Sequence, residues 1–290
     1  MIIETCAKVN LTLEVLRRRP DGYHELATVF QAIDLCDRLS FEPAPVLELV
    51  VEGCDLPTDH RNLCHRAATL LAGRAGIAPN VRITIDKRLP VGAGLGGGSG
   101  NAAGTLAALA RFWRLAVGDD ELEALAAELG SDCAFFVRGG AAVGLGRGEQ
   151  LRRLPPPAGL SLVILGPAEP VPTGPVYGAL RGFRPEAGAA TRRLAEGLAA
   201  GCLPPASEWL VNDLEEPATR VSAALAADRA LLESAVPGRY RLSGSGGSWF
   251  LPAVSAAEAE GLAARLRALW PGRAVWVTRP ATDGWRLVSE

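Results

Sequence analysis

The sequence predicts an α+β fold in two domains, and three observations carry that reading. Helical and strand-like periods both occur in each half, with antiparallel hairpin signals rather than regular strand–helix alternation. A glycine-dense segment, 90–101, lies between a strand pattern and a long alanine-rich helix pattern. The run Leu154-Pro155-Pro156-Pro157 breaks the chain near its middle, placing one domain over 1–155 and a second over 156–290.

The elements follow in order. Residues 8–15 alternate strictly, with Val9, Leu11, Leu13 and Val15 on one face and Lys8, Asn10, Thr12 and Glu14 on the other. That is the pattern of a half-buried strand, with Lys8 and Asn10 side by side about 7 Å apart on its polar face. Arg19-Pro20-Asp21-Gly22 is turn chemistry. Tyr23 and His24 follow it, and a second strand runs on to about residue 35. Further strands fit 46–51 and 81–85, and a helix fits 62–75. Behind the glycine segment one helix runs over about 99–113. A second has Asp119 or Asp120 as its cap, Leu122, Leu125, Ala126 and Leu129 on its apolar face, and Gly130 at its end. A short apolar segment over 133–137 and a Gly139-Gly140 turn lead into a strand over 141–145. Beyond the prolines, strands fit 160–165, 239–242, 249–251 and 274–278, and helices fit 189–200, 219–234 and 255–269. A second glycine loop occupies 243–248.

Composition narrows the function classes. The chain has 290 residues, 48% hydrophobic and 21% charged, with a net charge of −2, which suits a globular protein with full cores. No basic stripe with interleaved aromatics is present, so nucleic acid is not the expected partner. No apolar run reaches membrane length, and the first residues lack a basic n-region and an h-region, so a cytoplasmic location is expected. Six scattered cysteines, without metal-ligand spacing, read as reduced thiols and indicate no metal site. Lys8 and Lys87 are the only lysines among 30 basic residues, a bias that draws attention to both.

Gly92, Gly94, Gly96, Gly97, Gly98 and Gly100 crowd the 90–101 segment. Glycine is costly to order, so such density points to close backbone approach to a bound group. Free N–H groups and the positive end of the following helix make an anion cradle there, of the kind used for phosphate. Gly92, Gly94 and Gly97 satisfy G-x-G-x-x-G, but a helix rather than a strand follows the first helix, which excludes the dinucleotide βαβ unit. No lysine ends the loop, which excludes the P-loop, and a kinase-type loop would lie within a hairpin.

Six separated segments carry a resemblance. They are Ala7-Lys8-Val9-Asn10-Leu11, Asp21-Gly22-Tyr23-His24-Glu25-Leu26, 87–103, Leu129-Gly130-Ser131-Asp132 through Phe136, Asn212-Asp213-Leu214-Glu215, and 242–246. Together they resemble the GHMP kinase superfamily, and within it the branch acting on 4-diphosphocytidyl-2-C-methyl-D-erythritol, for which the D-G-Y-H segment is the most selective. Three positions depart from the pattern: Gly100 replaces a second loop serine, Ala134 replaces a proline after the acid, and Cys6 replaces a proline before the lysine.

The resemblance implies an N-terminal ATP-binding domain and a C-terminal ferredoxin-like substrate domain. It implies Mg-ATP held by Pro90-Val91-Gly92-Ala93-Gly94-Leu95-Gly96-Gly97-Gly98-Ser99-Gly100, with Asn62 on the adenine side. Asp132 would be the general base, with Lys8 beside it countering charge. Tyr23 and His24, with Tyr177 as an opposing ring, would hold cytosine, and Asn10 the reacting end of the substrate. Asn212 and Asp213 are left open between structural and binding roles, and the second glycine loop between closing over substrate and merely joining strands. The expected partner is a small-molecule substrate, the cytidine diphosphate of methylerythritol, with the chain a monomer or weak homodimer. Another kinase of the superfamily, acting on homoserine, mevalonate or a sugar, and a non-catalytic nucleotide sensor are the alternatives.

Overall fold

Two strands far longer than the alternation predicts, β1 (Ile2–Arg18) and β2 (His24–Glu42), form the hairpin on which the molecule is built. The computed structural model describes residues 1–184 and 187–290. After β3 (Glu48–Glu52), α1 (Leu63–Ala75) and β4 (Arg82–Asp86), the glycine segment leads into α2 (Gly97–Phe112), α3 (Asp119–Leu129) and α4 (Cys133–Arg138). The hairpin β5 (Ala141–Gly146) and β6 (Gln150–Leu154) precedes the proline run. Then come β7 (Ser161–Leu165), α5 (Thr173–Gly178), α6 (Ala189–Ala199), β8 (Val211–Asn212), α7 (Glu215–Val221) and α8 (Ala223–Ala235). The chain closes with β9 (Arg241–Leu242), β10 (Trp249–Ala253), α9 (Ala256–Leu269), β11 (Val275–Thr278) and β12 (Trp285–Ser289).

The long hairpin shifts register between Cys6 and Ala7, Asn10 and Thr12, and Val15 and Arg17. Such bulges bend a ribbon, and here each end of the hairpin takes different neighbours. The first half of β2 pairs with β5 and its second half with β4, while β1 takes β12 at one end and β8 at the other. The second sheet is antiparallel in the order β11-β7-β10-β9. With helices between β7 and β9 and between β10 and β11, that order is the ferredoxin-like βαββαβ arrangement. Across the boundary expected at 155/156, β8 and β12 return to the first sheet.

Three apolar cores hold these layers. One lies between the first sheet and α1–α4, around Leu39, Phe41, Leu71, Leu106, Phe135 and Phe136. Another lies between the second sheet and its helices, around Trp249, Leu251, Leu232 and Leu266. The third joins the two sheets through Val9, Leu11, Val29, Leu162, Ile164, Trp209 and Phe250. Gly104 brings α2 close to β1, since a Cβ there would overlap the Thr5 side chain.

Several expectations need correction. The polar face of β1 is not solvated: Lys8, Asn10, Thr12 and Glu14 are all buried. The cover comes from residues remote in sequence, as Glu14 accepts the N–H groups of Gly188 and Thr191 and Thr12 meets the Thr191 hydroxyl at 2.8 Å. Helix α3 starts after Gly118, with Asp119 and Asp120 in its first turn rather than capping it. The 133–137 segment is helical. The single helix expected over 219–234 is two, divided at Ser222, whose hydroxyl caps α8 by accepting the Leu225 N–H at 3.2 Å. α5, β6, β8 and β12 have too little periodicity to be recognised.

Candidate active site

A cleft of about 1270 Å³ runs from the glycine loop to a cluster of rings beside the β1–β2 turn. Lys8, 3% exposed, enters its middle from β1. Its Nζ lies 3.5 Å from Asp132 Oδ2 and donates to Asn10 Oδ1 at 2.5 Å. Asn10 Nδ2 donates to the Thr28 hydroxyl at 2.8 Å, which itself donates to the Thr12 carbonyl. Both ends of the Asn10 amide are therefore engaged, and it orients Lys8. Asp132 occupies the N-cap position of α4, yet its side chain makes no cap hydrogen bond and is 33% exposed. The capping role open to any Asp at a helix start is not the one it takes.

The glycine loop shows why glycine is required. A Cβ at Gly94, at φ +73°, would overlap the Ser243 carbonyl oxygen. One at Gly96, at φ +71°, would press on the Phe136 ring and the Lys8 side chain. The Leu95 carbonyl accepts the Lys8 N–H at 2.9 Å, which ties the loop to β1 beside the lysine. α2 begins at Gly97 with no side-chain cap and no acid in its first turn, so its N-terminal N–H groups and dipole remain available to an anion. Ser99 and the loop from Pro90 to Gly98 line the cleft. Gly100 is buried against the Cys6 carbonyl and the Phe136 ring, where a Cβ would stand 2.8 Å from that oxygen.

The second glycine loop packs directly on the first. Ser243 Oγ donates to the Gly94 carbonyl at 2.9 Å, and the Ser248 N–H to the Ala93 carbonyl at 3.0 Å. A Cβ on Gly244 would stand 3.4 Å from Lys8 Nζ. Asn212 fixes this loop by donating to the Leu242 and Gly244 carbonyls while accepting the Leu214 N–H. Asp213 accepts the Val15 N–H and pairs with Arg184. Both residues have structural contacts that account for them.

At the other end, His24 and Tyr177 stack with ring centroids 5.1 Å apart, and Phe183 lies 6.3 Å from His24. The expected opposition of Tyr177 is thus to His24, while Tyr23, 55% exposed, stands under the Arg147 guanidinium. Burial, helped by the nearby Arg18 charge, pulls the His24 imidazole below its ordinary range. Burial pushes the Tyr177 phenol up, and the charge of Asp132 adds to it. Asn62 lines the cleft wall, but its Oδ1 caps α1 through the Cys64 N–H at 2.9 Å and its Nδ2 donates to the Pro57 carbonyl at 2.8 Å.

The GHMP kinases N terminal domain family matches residues 62–140. A 4-diphosphocytidyl-2-C-methyl-D-erythritol kinase of Pelotomaculum thermopropionicum is 48% identical over 181 residues, 62% of this chain, and the match spans 62% of that relative's length. A kinase of the same name from Mycobacterium tuberculosis (strain H37Rv) is 41% identical over 292 residues, covering 97% of this chain and 91% of the relative. The chain belongs to this kinase family. A crystal structure of 4-(cytidine 5'-diphospho)-2C-methyl-D-erythritol kinase superposes with a TM-score of 0.78 at 39% identity, covering 97% of this chain and 100% of that one.

Within this GHMP kinase fold, three residues important to the site escaped the sequence reading. Asp37, fully buried, takes Lys87 Nζ at 2.6 Å, the N–H groups of Arg88 and Leu89, and Asn101 Nδ2. One carboxylate thereby joins β2, the leg leading into the glycine loop, and the first turns of α2. Lys87, picked out in the sequence by its rarity, is engaged in this pair and with the Leu89 carbonyl. Phe183 and Arg147 join the ring cluster from segments without motif or period. No helix of the described residues is long and apolar enough to cross a membrane.

Proposed function

We propose that the chain transfers the γ-phosphoryl group of ATP to the 2-hydroxyl of 4-diphosphocytidyl-2-C-methyl-D-erythritol, giving the 2-phosphate and ADP, a step of the methylerythritol phosphate route to isopentenyl diphosphate. The observation that carries this reading is the meeting of Lys8 and Asp132 midway between a phosphate cradle and a ring cluster. A reaction joining a nucleotide's terminal phosphorus to an alcohol tethered to a second nucleotide needs that order along one cleft. Family membership supplies the identity of the alcohol.

Phosphoryl transfer asks for positioning and charge stabilisation. Backbone N–H groups of the glycine loop and of the α2 N-terminus hold the triphosphate. Asp132 accepts the proton of the attacking hydroxyl, and the absence of a cap bond leaves its oxygens free to do so. Lys8 is held on target by Asn10 and faces the same point. Opposite charges near 4 Å apart attract by about 4 kcal/mol at an effective dielectric of 20, less where one partner is partly exposed, as Asp132 is. As charge moves from the carboxylate to the transferring group, the fixed ammonium stabilises it in both places. ATP would enter with Mg²⁺, a cation that keeps water and phosphate oxygens and takes few protein ligands. The site fits that habit: Asp132 is the one carboxylate among the described residues lining the cleft, and Ser99 offers a hydroxyl beside the phosphates. Bound there, the ion supplies neutralisation of phosphate charge.

Segment 1–155 supplies the cradle, Lys8 and Asp132, and segment 156–290 supplies Tyr177, Phe183 and the second loop. Cytosine would be held by His24, Tyr23 and Tyr177. We place the protein in the cytoplasm as a monomer or weak homodimer. The test is a phosphorylation screen with purified protein. 4-Diphosphocytidyl-2-C-methyl-D-erythritol should be consumed, and homoserine, mevalonate and simple sugars ignored. Consumption of one of the latter instead would replace the substrate, and ATP turnover with none would leave only nucleotide binding.

A further inference from the structure

The charges lining the cleft are unequal. Lys8, Arg18, Arg61, Lys87 and Arg147 contribute to its wall, against one acid among the described residues, Asp132. Among the described residues, three of these cations have close partners: Lys8 with Asp132 at 3.5 Å, Arg61 with Asp59 at 2.8 Å, and Lys87 with Asp37 at 2.6 Å. Among the described residues, the ion-pair partner of Arg147 is Glu149 at 3.9 Å, and Glu149 also accepts the Arg147 backbone N–H at 2.6 Å. That bond closes the β5–β6 turn and fixes where Arg147 leaves the backbone.

The position of the turn matters more than its charge. The Arg147 guanidinium carbon lies 5.0 Å from the centre of the Tyr23 ring, at the nucleobase end of the cleft. The next residue, Gly148, sits against the other end of the reaction: a Cβ there would stand 3.9 Å from Asp132 Oδ1. The turn carrying Arg147 and Gly148 therefore reaches from the rings to the carboxylate that faces the acceptor hydroxyl. In a nucleoside diphosphate joined to an alcohol, that interval is filled by the diphosphate. A guanidinium fork matches phosphate oxygens in pairs, and its flat face can rest on Tyr23 while its edge makes those bonds.

We propose that Arg147 binds the diphosphate bridge of the substrate, with Tyr23 as its platform, and so makes the kinase selective for a nucleoside diphosphate arm over an uncharged nucleoside. The assignment rests on the cytidine diphosphate reading of the cleft. Arg147 covers one face of the exposed Tyr23 ring and leaves the other to the nucleobase.

Calorimetric titrations with CDP and with cytidine, the ATP site filled by saturating ADP, test it on wild type, Arg147→Ala and Arg147→Lys. Arg147→Ala should weaken CDP binding by about tenfold or more, the loss of a charge-assisted bond pair, and leave cytidine binding unchanged. Arg147→Lys should recover part of the CDP affinity. In turnover, the Arg147→Ala KM for the cytidine substrate should rise by a similar factor while the KM for ATP holds. Equal losses for CDP and cytidine would reduce Arg147 to a prop for Tyr23, and unchanged CDP binding would remove it from the site; either overturns the proposal alone. Wild-type protein that binds neither compound would overturn the cytidine reading itself, and this assignment with it.

Discussion

Lys8 Nζ stands 3.5 Å from Asp132 Oδ2, and the two side chains come from a strand and a helix start that share no local sequence. Neither group is spent elsewhere: Asp132 makes no cap bond, and the other side-chain partner of Lys8 is Asn10, which aims it. Asp132→Asn keeps the shape of the carboxylate and removes its basicity. It should lower kcat by about 10²–10⁴-fold, the range of a positioned general base. Lys8→Ala should also cut kcat, while titration of either variant with ATP gives near wild-type affinity. Near-normal single-turnover rates in both variants would remove the pair from the chemistry.

Two glycines of the same loop should respond in opposite ways. Gly94 has φ +73° and no room for a Cβ against the Ser243 carbonyl, so Gly94→Ala should part the two glycine loops and cost several kcal/mol, roughly the sum of backbone strain and overlap. Gly98 lies inside α2 without a positive φ, and a Cβ added there would have nothing within 4 Å. Gly98→Ala should therefore raise stability by about 0.5 kcal/mol through the unfolded chain. It also lines the cleft where the phosphates are proposed to lie, so the same change should weaken ATP binding. Urea midpoints and ATP titrations on the two variants read both effects; a Gly98→Ala protein with undiminished ATP affinity would argue against the cradle.

Periodicity and turn chemistry made much of this architecture legible. The alternation over 8–15 placed Lys8 and Asn10 together, and the glycine segment marked the start of α2. What the alternation could not reveal was burial on both faces of β1, because the cover is supplied by Thr191, Gly188 and Gly244, which no local pattern links to it. Asp37 is hidden for the same reason. In sequence it is an acid within a strand, and its partners Lys87, Leu89 and Asn101 become neighbours only when β2, β4 and α2 assemble. Arg147 is concealed differently, as one arginine in a chain that uses arginine almost everywhere lysine would serve. Asn62 shows the converse: a polar side chain on the cleft wall whose hydrogen bonds are already taken by a helix cap.

Asp37 and Lys87 should contribute unequally to stability although they form one ion pair. Removing Lys87 leaves Asp37 with the Arg88 and Leu89 N–H groups and the Asn101 amide. Removing Asp37 leaves those donors without their acceptor and leaves the buried Lys87 ammonium with the Leu89 carbonyl at 2.7 Å but without this counter-charge. Asp37→Ala should cost about 3–5 kcal/mol, the range for breaking a buried pair from one side, and Lys87→Met clearly less. Denaturant midpoints give the order. Because Asp37 anchors the leg into the glycine loop, Asp37→Ala should also raise the KM for ATP. The reverse order of stability would mean that the loop is held by the lysine.

His24 makes the cleft sensitive to acid. Its imidazole is pulled below the ordinary value of 6.5, first by burial and then by Arg18, so the unfolded chain takes up a proton at a higher pH than the folded one. Stability rises with pH wherever the unfolded state binds more protons. The contribution of His24 is therefore fully present above 6.5 and is lost as pH falls from there through the folded-state value. A protonated His24 would also stand beside Arg18, at the rings proposed to receive cytosine. His24→Gln, which does not titrate, should lose less stability than wild type between neutral pH and about pH 5, where an unperturbed imidazole is charged. Denaturation midpoints and CDP titrations across that interval, compared as the difference between the two proteins, remove the carboxylates common to both. Parallel curves would show that His24 titrates alike in the folded and unfolded chains.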